Sequence, residues 1–197
     1  MMHSPPRKLR DITNGLYYLH SCNVVHGNLK GVCDYSEPRF AAILTPGQQN
    51  ILMDATGRAR ITDFGLATIT QDLYSASDDR GYTPRWTAPE ILNEEGTYSR
   101  EADVFSFAMV IIEVRRGLPS MNRDLVYTST QVFTGVVPFN NKPPVATMVA
   151  IMGGKRPQRP EHPAFTDELW TLIQRCWDQD PHSRPEVSEA LRVLRGS

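Results

Sequence analysis

The sequence predicts a single, mainly α-helical domain with one small β-hairpin. Apolar residues recur at helical spacing in three separate segments, and a fourth, "ADVFSFAMVIIEV", is apolar almost all round. Only "NILMDATGRARIT" has a different character, with two short apolar runs around a turn. At 197 residues, 40% of them hydrophobic, the chain can bury one sizeable core without disulfides.

Taken in order, Leu9, Ile12, Leu16 and Leu19 fall on one helical face, so Arg7 to Ser21 reads as an amphipathic helix, with residues 1–6 a disordered N-terminus before it. A short apolar piece, Val24 and Val25, follows. The hairpin comes next, because Asp54 and Gly57 of "DATG" favour a tight turn between its two runs. Ala102 to Val114 reads as a central buried helix, and "RRGLP" stops it. Two amphipathic helices end the chain. One carries Leu169, Leu172, Ile173, Cys176 and Trp177, and the other Val187, Ala190, Leu191 and Leu194. Cys33 to Gln49 and Arg115 to Gln131 show no period and carry Pro, Gly and polar breakers, so each reads as a long loop.

Composition narrows the function classes. The 21 basic and 22 acidic residues are well mixed and sum to a net charge of -1, which argues against nucleic acid or an anionic membrane as a partner. Cys22, Cys33 and Cys176 are odd in number and scattered, and "MMHSPPRKLR" has no apolar stretch to act as a signal peptide. The longest apolar run, "FSFAMVIIEV", stops at Arg115, well short of the ~20 residues that cross a bilayer. A reducing, cytoplasmic setting with protein partners is expected.

Chemistry enters through five motifs in a fixed order. "HGNLK" is followed by "TDFGLAT" (Thr62 to Thr68), "WTAPE" (Trp86 to Glu90), "SREADVFSF" (Ser99 to Phe107) and "RCWDQDPHSRP" (Arg175 to Pro185). Together they make the chain resemble the C-terminal lobe of a eukaryotic protein kinase, from Arg7 to residue 195. "RWTAPE" points to the tyrosine-kinase-like branch.

That resemblance implies a serine/threonine kinase dependent on ATP and Mg²⁺, acting on protein substrates. Phosphoryl transfer passes through a loose transition state, so catalysis is mainly positioning and charge neutralisation. The resemblance makes Asp63 of "DFG" and Asn50 of "NIL" the Mg²⁺ ligands, both offering the oxygen that a hard cation prefers. Lys30 corresponds to the lysine that stabilises the transferring phosphoryl group in serine/threonine kinases, and Thr83 fits the same substrate class. Glu90 and Arg184 resemble a buried ion pair that ties the activation segment to the lobe. Asp103 resembles the brace of the catalytic loop, while His26, Trp86, Trp170 and Trp177 read as packing residues.

Four departures bear on activity. Asn28 stands where the family keeps the aspartate that accepts the substrate's hydroxyl proton, and losing general-base help costs about 10²–10⁴-fold. Gly27 replaces the usual arginine, which removes the partner for a phosphate on Thr68, Thr70, Ser75 or Ser77. The sequence shows no Gly-rich loop, no "VAIK" strand and no helix with its glutamate, and Gly153 and Gly154 come too late to serve. An absent N-lobe is therefore expected, leaving half a nucleotide site and no tight ATP binding.

The last departure is one of spacing. Removing the 17 residues Val32 to Gln48 leaves "NLKGQNIL", and removing the 18 residues Val114 to Gln131 leaves "IIEVFTGVVPF", each continuous with the family pattern. Both segments begin at valine and end at glutamine, as an in-frame intron bounded by GT and AG would when translated. They are expected to be retained introns rather than surface insertions. A chain with little or no kinase activity follows, with a pseudokinase scaffold or a truncated product without independent function as the alternatives.

Overall fold

The computed structural model describes residues 7–34, 50–63, 68–69, 84–94, 96–113 and 138–196. Helix α1 (Arg7–Ser21) forms where Leu9, Ile12, Leu16 and His20 share one face, and that face is buried against the last helix and the hairpin. Thr13, also on the buried side, is tolerated because its hydroxyl donates back to the Leu9 carbonyl at 2.7 Å.

Two small sheets follow. Strand β1 (Val24–Val25) pairs antiparallel with β5 (Thr68–Ile69), so that Val25 faces Thr68. The other sheet runs β2 (Val32–Asp34), β3 (Ile51–Met53), β4 (Ala59–Ile61), with β2 parallel to β3 and β3 antiparallel to β4. The predicted hairpin is β3 and β4. Its turn is closed by the Asp54 carboxylate, which accepts from the Thr56 hydroxyl at 2.6 Å and from the Thr56 and Arg58 amides at 3.0 Å. Those bonds hold Asp54 well below the usual carboxylate range, the Thr56 hydroxyl contributing most. Gly57 sits at φ +74, a left-handed position open to glycine.

Strand β2 corrects the expectation of a lone hairpin and of a loop beginning at Cys33. Val32 pairs with Ile51 and Asp34 with Met53, so the start of the segment expected to be an insert adds a third strand. Three residues are too few to show a period, and their partner lies across a sequence gap. The remainder of that segment, all of 114–131, and residues 1–6 lie outside the described residues.

Helix α2 (Pro89–Leu92) is a single turn, started by proline at its first position. Helix α3 (Arg100–Glu113) is buried at every residue from Ala102 to Glu113 and forms the axis of the core. Its polar side chains are partnered: Ser106 donates to the Trp86 carbonyl at 2.7 Å, and Glu113 accepts from the Trp86 indole N–H at 3.0 Å. Helix α5 (Asp167–Cys176) is capped by Thr166, whose hydroxyl accepts from the Leu169 amide, and it has acids in the first turn and Arg175 in the last. It packs between α3 and α6 (Val187–Gly196), with Trp177 meeting Trp170 edge to face at 5.4 Å.

Helix α4 (Pro144–Met152) is the element that periodicity does not predict. "PVATMVAIM" is apolar on both sides, burying Thr147, Ala150 and Ile151 while leaving Val145 and Val149 exposed, so it carries no amphipathic stripe.

Candidate active site

The candidate site is a loop held from below by one carboxylate. Asp103, in the first turn of α3 and 1% exposed, accepts from the His26 amide at 2.8 Å through Oδ2 and from the Gly27 amide at 2.8 Å through Oδ1. Its Oδ2 is also 2.9 Å from Nε2 of His20 at the end of α1. Three hydrogen bonds to an ionised acceptor offset the cost of burying that charge. Gly27, at φ +75, uses the conformational freedom of glycine to turn both amides onto one carboxylate.

His26 is fully buried, and its two ring nitrogens have distinct partners. The Asn28 amide donates to Nδ1 at 3.2 Å, so Nδ1 is an acceptor and Nε2 carries the proton it gives to the Thr62 carbonyl at 3.0 Å. With both nitrogens engaged in this way, the ring is a strut between the loop and the residue preceding Asp63.

Across the gap, Asn50 closes the loop. Its amide donates to the Lys30 carbonyl at 3.0 Å, its Nδ2 donates to the Asn28 carbonyl at 2.6 Å, and its own carbonyl accepts from the Thr62 amide at 2.8 Å. Residues 28–30 and Asn50 therefore make one continuous hydrogen-bonded turn, although nineteen residues separate Lys30 from Asn50 in sequence. Those bonds fix the side-chain amide, and its Oδ1 is buried without a hydrogen-bond partner. An orphaned buried carbonyl oxygen costs about 1–3 kcal/mol and calls for a ligand.

Asp63 lies directly after Thr62, exposed and at φ +62, a left-handed position that a non-glycine residue occupies at a cost and that clusters at functional sites. Lys30 is 8% exposed; burial lowers the pKa of its ammonium, and the nearby Asp63 carboxylate opposes that shift. The donor set fits Mg²⁺, which binds few protein oxygens and completes its shell with water and phosphate. Asn50 through Oδ1 and Asp63 through its carboxylate are the residues that would hold it. Among the described residues no cluster of three or more His, Cys, Asp or Glu side chains forms a metal cage.

Asn28 occupies the centre of this turn with its carbonyl held by Asn50. A carboxamide cannot accept a proton at neutral pH, so the turn carries no general base there.

Of the remaining predicted residues, Glu90 and Arg184 form a buried ion pair. Arg184 is fully buried through its side chain and meets Glu90 with two parallel bonds, Nη1 to Oε1 at 2.7 Å and Nη2 to Oε2 at 2.8 Å. It also donates to the carbonyls of Glu101 and Asp178, both at 2.9 Å, and lies over the Phe105 ring. This clamp ties α2 to α3 and to the turn before α6. Thr83 lies outside the described residues, as do Thr70, Ser75 and Ser77. His20 is not legible as a site residue in the sequence, since its contact with Asp103 spans 83 positions and a histidine near the end of a helix carries no signal of it.

Comparison with known proteins agrees with this geometry. Residues 47–194, three quarters of the chain, match the family described as protein tyrosine and serine/threonine kinase. The chain is 30% identical over 187 residues to the serine/threonine-protein kinase STY17 of Arabidopsis thaliana, covering 93% of this chain and 26% of that protein. Likewise, it is 30% identical over 185 residues to the serine/threonine/tyrosine-protein kinase HT1 of the same plant, covering 93% of this chain and 37% of that one. To the dual serine/threonine and tyrosine protein kinase of Apis mellifera it is 32% identical over 187 residues, covering 93% of this chain and 16% of the relative. The chain thus spans well under half the length of these relatives. The match over three quarters of its residues places it in the protein tyrosine and serine/threonine kinase family.

Proposed function

We propose that this chain is the C-lobe of a serine/threonine-type protein kinase whose phosphoryl-transfer loop is assembled around a position that has lost its base. Phosphotransfer to serine or threonine of protein substrates is then the ancestral reaction, and this chain carries little or none of it. The observation that supports the reading is the position of Asn28, its carbonyl held at 2.6 Å by the Asn50 side chain, with an amide where a proton acceptor is required.

Each residue keeps a definable task in that reaction. Lys30 brings a partly desolvated positive charge beside Asp63, where it would face the transferring phosphoryl group. Asn50 through its unpartnered Oδ1 and Asp63 through its carboxylate would offer the oxygens for Mg²⁺, and Asp103 with His26 braces the loop. A bound Mg²⁺ with ATP would supply the neutralisation of charge on the phosphates.

The interruptions of the pattern at 32–48 and 114–131 are proposed to be retained introns. The turn closing from Lys30 to Asn50 supports the first, because its hydrogen bonds join the two sides of the segment directly. Sequencing the mature transcript tests this, and the presence of both segments would overturn it.

Phosphate transfer from Mg-ATP to a general serine/threonine substrate tests the functional reading. The unmodified protein should transfer no more than an Asp63→Ala blank, and robust turnover would refute the proposal. A pseudokinase that binds protein partners is the second reading, favoured by Asn28 together with Gly27. Phosphotransfer by the protein with a complete N-lobe would eliminate it.

A further inference from the structure

Among the described residues, two buried side-chain atoms lack a hydrogen-bond partner: Oδ1 of Asn50, in the phosphoryl-transfer loop, and Nε of Arg100, at the start of α3. Arg100 is held at one end, because its Nη2 donates to the Asn23 side-chain oxygen. Its Nε–H, however, has left water without gaining an acceptor. A buried donor of a charged group in that state calls for an acceptor from outside the fold.

Arg100 lines a cavity of roughly 260 Å³ where the end of α1, the start of α3 and the residues leading into α6 meet. Two carboxylates line the same cavity. Glu101, partly buried in the first turn of α3, has no partner for its carboxylate among the described residues. Glu186, immediately before α6, accepts from the Ser188 hydroxyl at 3.1 Å through Oε2, which leaves its Oε1 without a partner among the described residues. Tyr17, 45% exposed, adds an aromatic ring to the lining.

The walls are fixed from behind. Arg184 donates to the Glu101 carbonyl at 2.9 Å while gripping Glu90, so the α3 wall and the turn before α6 are held together. His20 closes the α1 side and is itself bonded to Asp103 at 2.9 Å. A preformed pocket loses less entropy on binding.

We propose that this cavity binds an arginine side chain of a partner protein segment, with a backbone carbonyl of that segment accepting from Nε of Arg100. The incoming guanidinium bonds Glu101 and Oε1 of Glu186, for which its planar set of five donors is suited, and its face lies against Tyr17. The cavity's own chemistry selects this occupant. An orphaned donor requires an acceptor, two carboxylates require a cation, and an arginine within a peptide carries both. An acidic or phosphorylated segment would meet two carboxylates against one guanidinium, and a polyamine has no carbonyl to offer Arg100. None of these residues belongs to the phosphoryl-transfer loop, so such binding is independent of the chain's catalytic competence.

The test titrates the capped peptide acetyl-Gly-Arg-Gly-amide into the isotope-labelled full protein, read by backbone amide shifts, beside versions with citrulline and with glutamate in place of arginine. The arginine peptide should saturably move the amides of Arg100, Glu101, Val187 and Ser188. Citrulline keeps the shape and loses the charge, so its peptide should bind about tenfold more weakly, and the glutamate peptide should not bind. Glu101→Gln with Glu186→Gln should weaken arginine binding about tenfold, and Arg100→Lys, which keeps the charge and removes the Nε donor, about threefold. Neither variant should shift the melting temperature by more than a few degrees. Equal binding of the arginine and citrulline peptides, indifference to both variants, or tighter binding of the glutamate peptide would overturn the proposal. So would the absence of any saturable shift, because water alone would then satisfy Arg100.

Discussion

Glu90→Gln removes one charge from the Glu90–Arg184 clamp while keeping its shape. In the native chain Arg184 is 0% exposed through its side chain and Glu90 13%, so water screens the pair little. The substitution leaves a guanidinium facing an amide N–H₂ where it had a second carboxylate oxygen, and loses one charge-assisted hydrogen bond of about 1.5–3 kcal/mol. It also leaves the buried cation uncompensated, which brings the expected loss to about 3–5 kcal/mol. For a chain of this size that corresponds to a fall in Tm of roughly 6–20 °C, at about 2–4 °C per kcal/mol. Urea titration of the full protein reads the free energy, and a thermal melt reads the shift. The double variant Glu90→Gln with Arg184→Met should lose less than the two single losses combined, since neither partner is then left unpaired. A loss below about 1 kcal/mol for Glu90→Gln would refute the reasoning, because that is the value of a solvent-exposed pair.

Other consequences follow from the same geometry. Asp103→Ala should cost about 3 kcal/mol and speed hydrogen exchange at the His26 and Gly27 amides, which lose their acceptor; unchanged exchange at both would contradict the brace. Burial pushes the Cys176 thiol up to about 12, so in a Cys33→Ser background a thiol reagent at pH 8 should modify exposed Cys22 at once and Cys176 only on unfolding. Because the folded pKa is raised above the reference value of 9.0, the stabilisation from Cys176 is present below about pH 9 and is lost as pH climbs toward 12. Deleting residues 32–48 shortens a closed loop at a gain of about 2 kcal/mol, offset by loss of the β2 pairing, so the protein should still fold with a melt within a few degrees of the parent. Failure of the deleted form to fold would show that the segment is structural.

How far the sequence reaches depends on the length over which a signal can accumulate. Helices α1, α3, α5 and α6 are legible because ten or more residues repeat one burial pattern. Helix α4 is not, since its apolar residues face both core and solvent, and β2 is not, since three residues paired across a gap show no alternation. At the site, residue identities are legible from the ordered motifs, and the spacing that returns Asn50 to Lys30 emerges only when the intervening residues are set aside. What stays hidden is long-range partnership. Nothing in "LHSCN" announces that His20 meets Asp103, and nothing in "TPRW" announces that Arg85 grips three carbonyls more than fifty positions away. The unpartnered Oδ1 of Asn50 is likewise a property of packing, produced by three bonds that hold the rest of that residue in place.

The central claim is that Asn28 leaves an otherwise formed phosphoryl-transfer loop without its base. The direct test compares phosphate transfer from Mg-ATP by the full-length protein with that by Asn28→Asp, at matched folding and substrate. Restoring the carboxylate should raise the rate by about 10²–10⁴-fold. Equal, robust turnover by the two forms would contradict the account, since the loop would then be shown to work without a proton acceptor at position 28.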